Sequence, residues 1–320
     1  MYLYIKIFIY FNMAKPTNKN KRKNKHYNKN KTAKFKKLNC APNRGKEINS
    51  ELQKLSCYNN SELFNFKKIW NSKNPNNLIK TNNPKNIWLF FKNNLSSKCY
   101  NELCWIKENH IGNINKDHIL KNVFRPFSPT TWKAKPYEWL SSVDILKVME
   151  QYQRTNKNFV FIGPTPIDFD NKDLFGTCIY EQLCKFDINK YYNVKPRKDK
   201  IGIIFNTDPH DQPGEHWIAL FVDLKKQFVF YFDSNGEKIK KQVDILKNRI
   251  IEQGNKINLN LKYYDNKGLV HQKKDGQCGM YTLYFIAELL QENKEPEFFK
   301  DQRVPDELMR DYRIKYYNSE

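Results

Sequence analysis

Several things are scarce in this chain, and each scarcity removes a class of protein. No stretch of roughly 20 apolar residues occurs, so nothing has the length of a membrane-spanning helix. The opening MYLYIKIFIYF runs for only about eleven residues, contains Lys6 and lacks a small-residue cleavage site, which argues against a signal peptide. Met13 follows it and opens a polar stretch, so residues 1–12 read as a dispensable extension or as untranslated. Acidic residues are missing from 1–46, where 14 Lys or Arg stand without one Asp or Glu. The seven cysteines are odd in number and irregular in spacing, which argues against a disulfide framework and for a reducing compartment. Neither CYNELC (99–104) nor CIYEQLC (178–184) has histidines at zinc-finger spacing, so no metal is expected.

What is present has a clear order. The net charge of +22 over 320 residues is concentrated in the first 46, a Lys/Asn-rich tail with too little apolar surface to order itself. Such a tail attracts polyanions without a designed site, so non-specific nucleic acid is a possible partner. The remaining residues carry 42 basic against 34 acidic groups. Residues 47–123 hold short amphipathic helical patterns (SELFNFKKIW, IWLFFKNNL, YNELCWIKENH) between Asn- and Pro-containing breaks, and read as a small helical domain. A Pro-rich connector from Phe124 runs to a helix capped by Ser141 or Ser142 with Asp144 in its first turn.

Strands follow. NFVFIGPTPIDFD is a short run broken by Gly163, Pro164 and Pro166, and then come KIGIIFN, HWIALFVDL, QFVFYFD and INLNLKYYD. The second and third of these alternate like a hairpin turning at Lys225 and Lys226. Residues 237–253 form an amphipathic helix, and an apolar helix begins at or near Cys278. This order indicates an α+β domain from about 135 to 300, within a unit over 124–300 that takes in the Pro-rich connector, with a C-terminal extension at 301–320.

The chemistry gathers at a few residues. A thiolate attacks carbonyls, and a helix N-terminus or a protonated imidazole stabilises it. Cys278 stands where DGQ breaks the chain and an apolar helix begins, with Gly279 permitting close backbone approach and its own N–H free for an oxyanion. Six histidines are candidates for the base: His26, His110, His118, His210, His216 and His271. His216 is favoured because it joins a polar loop to an apolar strand. Asp233 ends the paired strand at the same edge and is placed to orient it.

These residues carry a resemblance. GEHWIALFVDLKKQFVFYFDSNG with HQKKDGQCGMY resembles the ubiquitin-like-protein-specific cysteine protease superfamily, which includes SUMO proteases and the adenoviral protease. The shared pattern is His-Trp, an Asp or Asn about seventeen residues on, then Gln, five residues and Cys-Gly. WLSSVDILKVMEQYQ and FVFIGPTPIDFD resemble the form found in large DNA viruses, of the African swine fever and giant-virus type, where a helical domain also precedes the catalytic one.

The resemblance implies a papain-like core, a mixed central sheet flanked by helices. It implies His216 as base, Asp233 as orienting acid, Cys278 as nucleophile and Gln272 as oxyanion donor, with Trp217 and Gly279 at the substrate cleft. Gln277 departs from the Asp usual in SUMO proteases. The activity implied is hydrolysis after Gly-Gly-type sites in a protein substrate, without cofactor or membrane. A viral maturation protease acting on structural polyproteins, in the virion and host cytoplasm, fits best. The alternatives are a cellular deSUMOylase or deubiquitinase, and an inert nucleic-acid-binding scaffold.

Overall fold

The computed structural model describes residues 35–319, except 43, 45–49, 108, 109 and 113. The readings of Met13, His26 and most of the basic tail lie outside the described residues. From Phe35 onward the chain forms one compact unit.

Its centre is a five-stranded mixed sheet in the order β1-β2-β3-β4-β5. The strands are β1 (Phe159–Pro166), β2 (Lys200–Asn206), β3 (Trp217–Asp223), β4 (Phe228–Phe232) and β5 (Lys262–Asp265). β1 and β2 are parallel, β2, β3 and β4 are antiparallel neighbours, and β5 joins β4 in parallel. β3 is buried along its whole length because both sheet faces are covered, which is why its sequence reads as a continuous apolar run. Its alternate residues serve different cores. Trp217, Ala219 and Phe221 face one side, and Ile218, Leu220 and Val222 face the other.

Helices around the sheet include α5 (Ser142–Thr155), α6 (Lys241–Lys256), α7 (Cys278–Leu290), α8 (Pro296–Asp301) and α9 (Asp306–Tyr316); before it lie α1 (Asn60–Lys73), α2 (Pro84–Leu95), α3 (Glu102–Lys107) and α4 (Lys116–Asn122). α7 is buried on every side, as its uninterrupted CGMYTLYFIAELL demands. α5 begins in a capping box, Ser141 accepting from the Asp144 N–H while the Asp144 carboxylate accepts from the Ser141 N–H. α1 to α4 build a separate aromatic core with Tyr58, Phe66, Phe91, Trp88 and Trp105, in which the Glu102 carboxylate takes the indole N–H of Trp88 at 2.7 Å.

The structure corrects several expectations. β1 does not stop at Gly163–Pro164. It continues to Pro166 across a register shift between Ile162 and Thr165, where the prolines cost ladder bonds without ending the strand. The sixth helix starts at Lys241, because residues 237–240 lead into it as extended chain ending at Lys240. Only Lys262–Asp265 of the last strand pairs. The hairpin turn occupies four residues, with Gln227 in the left-handed region (φ 56). The run after Asp301 is no appendage, since Met309, Tyr316 and Tyr317 belong to the same core as α7.

Cysteine usage differs most. Cys40–Cys57, Cys99–Cys104 and Cys178–Cys184 are disulfides, with Cα separations of 5.2, 5.5 and 6.3 Å. Folding brings each pair into bonding range, two of them across a single turn of chain, and irregular sequence spacing does not forbid that. Cys278 remains as a free, buried thiol. His110 also stands beside the 99–104 pair, the ligand atoms of all three lying within 4.8 Å, although no zinc-finger spacing announces it. In the disulfide form both sulfurs are bonded to each other and are not thiolate ligands.

Candidate active site

The loop before β3 is organised by one side chain. Asn206, at the end of β2, accepts through Oδ1 from the N–H groups of Asp208 and Glu215, at 2.9 and 3.2 Å. Gly214 (φ 95) packs so closely on its amide that a Cβ there would lie 2.7 Å from Nδ2. The loop therefore returns at a fixed place, with the Thr207 N–H donating to the His216 carbonyl at 2.8 Å. His216 is delivered to the edge of the sheet at the mouth of β3.

Across the hairpin, β4 ends in Asp233. Its Oδ1 lies 2.8 Å from His216 Nε2 and also accepts from the Asn235 N–H at 2.8 Å. Asn266 clamps its backbone from both sides, its Oδ1 taking the Asp233 N–H at 3.0 Å and its Nδ2 donating to the Asp233 carbonyl at 2.7 Å. The Asp233 side chain is fully buried, and its Oδ2 has no hydrogen-bond partner. That leaves the imidazole as its principal compensation.

Cys278 is the first residue of α7, and its thiol lies within hydrogen-bonding reach of the imidazole. Its backbone N–H precedes the intrahelical ladder and is free to donate outward. Burial works to lower the His216 pKa, but the hydrogen bonds to Asp233 and to the Cys278 sulfur outweigh it and push it up to about 10. The favoured species at the ring is therefore an imidazolium, and a positive charge beside a sulfur stabilises its thiolate form. Three of the residues singled out from sequence are thus brought together, from positions as far apart as 216 and 278.

Gln272 sits under the same structure. The Ser234 carbonyl accepts from the N–H groups of both His271 and Gln272 at 2.9 Å, and the Ser234 hydroxyl donates to Gln272 Oε1 at 3.1 Å. With its oxygen committed to Ser234, the side chain has its NH₂ end left to donate. Trp217 donates its indole N–H to the Leu140 carbonyl at 2.9 Å and lines a cleft of about 1050 Å³. Gly279 is not in the lining of that cleft. It is a glycine because Leu140 packs on α7 there, and a Cβ would come within 2.9 Å of the Leu140 Cβ.

The other histidines serve elsewhere. His271 is fully buried, its Nε2–H donating to the Phe299 carbonyl at 3.0 Å and its Nδ1 accepting from the Val304 N–H at 3.0 Å. Burial pushes it down to about 4, so it is neutral near pH 7. His210 lies on the cleft with Nδ1 2.7 Å from Asp168 Oδ2, and that hydrogen bond raises its pKa.

Two contributors escaped the sequence reading. Trp139 is 40 % exposed on the cleft, and its ring lies over Gly276 (φ 85), where a Cβ would be 3.3 Å from the indole Cδ1. Its signal was present as the first residue of WLSS. The second is Arg313 of α9, buried, donating from Nη2 to the Gly276 carbonyl at 2.8 Å and from Nε to Gln277 Oε1 at 3.1 Å. This explains Gln277: a neutral acceptor there meets an arginine that arrives from 36 residues away, and no local pattern announces it.

Among the described residues no helix is long and apolar enough to cross a membrane.

Residues 171–320 match the model of the Ulp1 protease family, C-terminal catalytic domain. The chain is 30 % identical over 273 residues to a putative thiol protease of Acanthamoeba polyphaga mimivirus, covering 78 % of this chain and 84 % of that protein. It is 32 % identical over 126 residues to a cysteine protease of African swine fever virus, covering 39 % of this chain and 46 % of that one. The crystal structure of an African swine fever virus protease superposes with a TM-score of 0.63 at 21 % identity, over 88 % of this chain and 96 % of that one, so the two share a fold. A free thiol at the head of a buried helix, an imidazole against it, and these relatives lead to one conclusion: the chain belongs to the Ulp1 protease family and is a cysteine peptidase.

Proposed function

We propose that the protein is an endopeptidase working through a Cys278–His216–Asp233 triad on Gly-Gly-type sites. The observation that carries the reading is the 2.8 Å contact of a largely buried imidazole with a fully buried carboxylate, with the thiol that begins α7 beside the same ring. The Cys278 sulfur attacks the scissile carbonyl, forming the S–C bond. The backbone N–H of Cys278 and the Gln272 amide donate to the oxyanion, and the His216 imidazolium gives its proton to the departing amine. A water molecule then breaks the thioester, with His216 accepting its proton. Trp139 and Trp217 stand on the wall of the neighbouring cleft, which the four reacting residues do not themselves line.

The substrate in this reading is a protein, and the enzyme a maturation protease that cuts structural polyproteins in the virion and the host cytoplasm; the relatives themselves are named only as viral thiol and cysteine proteases. Residues 47–123 would dock substrate or partner, and the basic tail would hold nucleic acid without sequence preference.

The test is labelling with a peptide ending in a Gly-Gly-vinyl warhead, on the full chain and on Cys278→Ala and His216→Ala. Stoichiometric labelling lost in both variants is expected. Cleavage of a Gly-Gly-containing structural precursor in preference to a SUMO conjugate is expected, and the reverse preference would move the assignment to a deSUMOylase. Labelling that persists in Cys278→Ala would end the triad reading. Gln272→Ala should cost roughly 10²–10³ in rate, the value of one oxyanion donor.

A further inference from the structure

A second cavity, of about 480 Å³, opens on the far side of the loop that precedes Cys278, between residues 36–39, the connector at 128–137 and α9. Its size falls within the roughly 300–1,000 Å³ of small-molecule sites. The wall is largely apolar, with Trp132, Pro136, Ile314 and Tyr317. The charge is of one sign. Lys36, Lys37, Lys133, Arg310 and Arg313 line it, and no carboxylate is among its described lining residues.

Two donors in it have no acceptor. Nη1 of Arg313 and Nε of Arg310 are buried without a hydrogen-bond partner among the described residues. They stand three residues apart on one face of α9. Each guanidinium lies over an aromatic ring, Arg310 over Tyr137 at 4.6 Å and Arg313 over Trp132 at 4.5 Å. Buried cationic donors left unpaired are costly, and an anion that accepts from both removes the cost. Residues 1–34 contain no Asp or Glu, and beyond them only Glu47, Glu108 and Glu320 lie outside the described residues with a carboxylate side chain. A bare anion would leave the apolar wall uncovered, so the occupant has a ring or other apolar body beside its charge. Guanidinium pairs match the oxygens of a phosphate.

We propose that this cavity is a regulatory site for a nucleoside phosphate. The phosphate accepts from Arg310 and Arg313, and the base lies on the wall of Ile314, Pro136 and Tyr317. The same Arg313 that would hold the phosphate by Nη1 holds Gly276 and Gln277 by Nη2 and Nε. Occupancy therefore fixes the guanidinium and, through it, the two residues before Cys278, raising the reactivity of the thiol. The coupling rests on Cys278 as the nucleophile; the binding does not.

The experiment is calorimetric titration of the full chain with adenosine monophosphate, adenosine and inorganic phosphate, at near-physiological salt, together with Arg310→Gln, Lys133→Gln and Cys278→Ala. The expected result is saturable one-site binding of the monophosphate, weakened at least about tenfold in Arg310→Gln, weakened in Lys133→Gln and unchanged in Cys278→Ala. Alkylation of Cys278 by iodoacetamide should run faster in saturating monophosphate, and not in Arg310→Gln. Binding unaffected by both lining substitutions would place the anion elsewhere, and with it an absence of saturable binding would overturn the proposal. Inorganic phosphate binding as tightly as the monophosphate would overturn the part given to the base. Alkylation unmoved by bound monophosphate would overturn the coupling. Should Cys278 prove not to be the nucleophile, the calorimetric result still stands or falls by itself.

Discussion

Two imidazole–carboxylate pairs flank the same stretch of chain, and they are nearly identical in length. His216 meets Asp233 at 2.8 Å and His210 meets Asp168 at 2.7 Å. They differ in surroundings. Asp233 is fully buried, and the His216 side chain is 15 % exposed, whereas that of His210 is 49 % exposed. The first pair has a thiol on the other side of its ring, and the second opens onto the cleft. A short contact between histidine and aspartate therefore says little alone. Desolvation and a third partner are what fit one such pair for the proposed chemistry, while water screens the other to a modest surface interaction.

Substitution is the hardest way to break this comparison. His216→Ala and Cys278→Ala should each lower peptide hydrolysis by several powers of ten, on the order of the 10⁶ seen when a nucleophile or its base is removed elsewhere. His210→Ala should leave the rate within about threefold, as judged by kcat/KM on one peptide. Comparable losses in both pairs would make His210 part of the machinery.

The next cut is through the acids. Asp233→Ala should cost roughly 10²–10⁴ in kcat/KM, because nothing else fixes the His216 ring, while Asp168→Ala should change it little. Asp233→Asn keeps a hydrogen bond but removes the charge that raises the imidazole. A pH profile reads this directly. With His216 raised to about 10, the alkaline limb of kcat/KM belongs near that pH, where the proton needed by the leaving amine is lost. In Asp233→Asn that limb should move to lower pH. The stabilisation from this raised histidine is complete below about pH 6.5, its unfolded value, and disappears as pH rises through about 10.

His271 supplies the opposite sign. Its folded pKa is lowered to about 4 by burial, so the unfolded chain binds a proton first as pH falls below about 6.5. Unfolding in urea should take up to a few kcal/mol less at pH 4.5 than at pH 7, and His271→Gln should flatten that difference. The smallest effect is at His210. Its pKa is raised by Asp168, and a nuclear magnetic resonance titration should show the rise shrinking in Asp168→Asn and in high salt.

The parts legible in sequence share a physical feature: their cause is local. β3 and β4 are short apolar runs on either side of a polar turn, the capping box at Ser141 is four residues long, and Cys278 announces itself by the break before an apolar helix. Their joint placement was legible only through the family pattern. What escaped depends on distant chain. Asn266 clamps Asp233 from 33 residues away, Arg313 reaches Gln277 from 36, and no periodicity encodes either. The disulfides escaped for a related reason, because spacing is a poor guide to which sulfurs a fold brings together. The Gly163–Pro164 break misled because proline punctuates strongly in sequence, yet a strand absorbs it by a shift of register.

The order of the parts along the chain has a consequence for synthesis. The base is made first, the thiol 62 residues later as 278 follows 216, and the arginine that holds the nucleophile loop only at 313. α7, apolar on all sides, has no stable form in water until the sheet and α9 close around it. On the proposed triad, a polypeptide still leaving the ribosome thus carries a catalyst in kit form, and it acquires its cutting edge only when α9 docks.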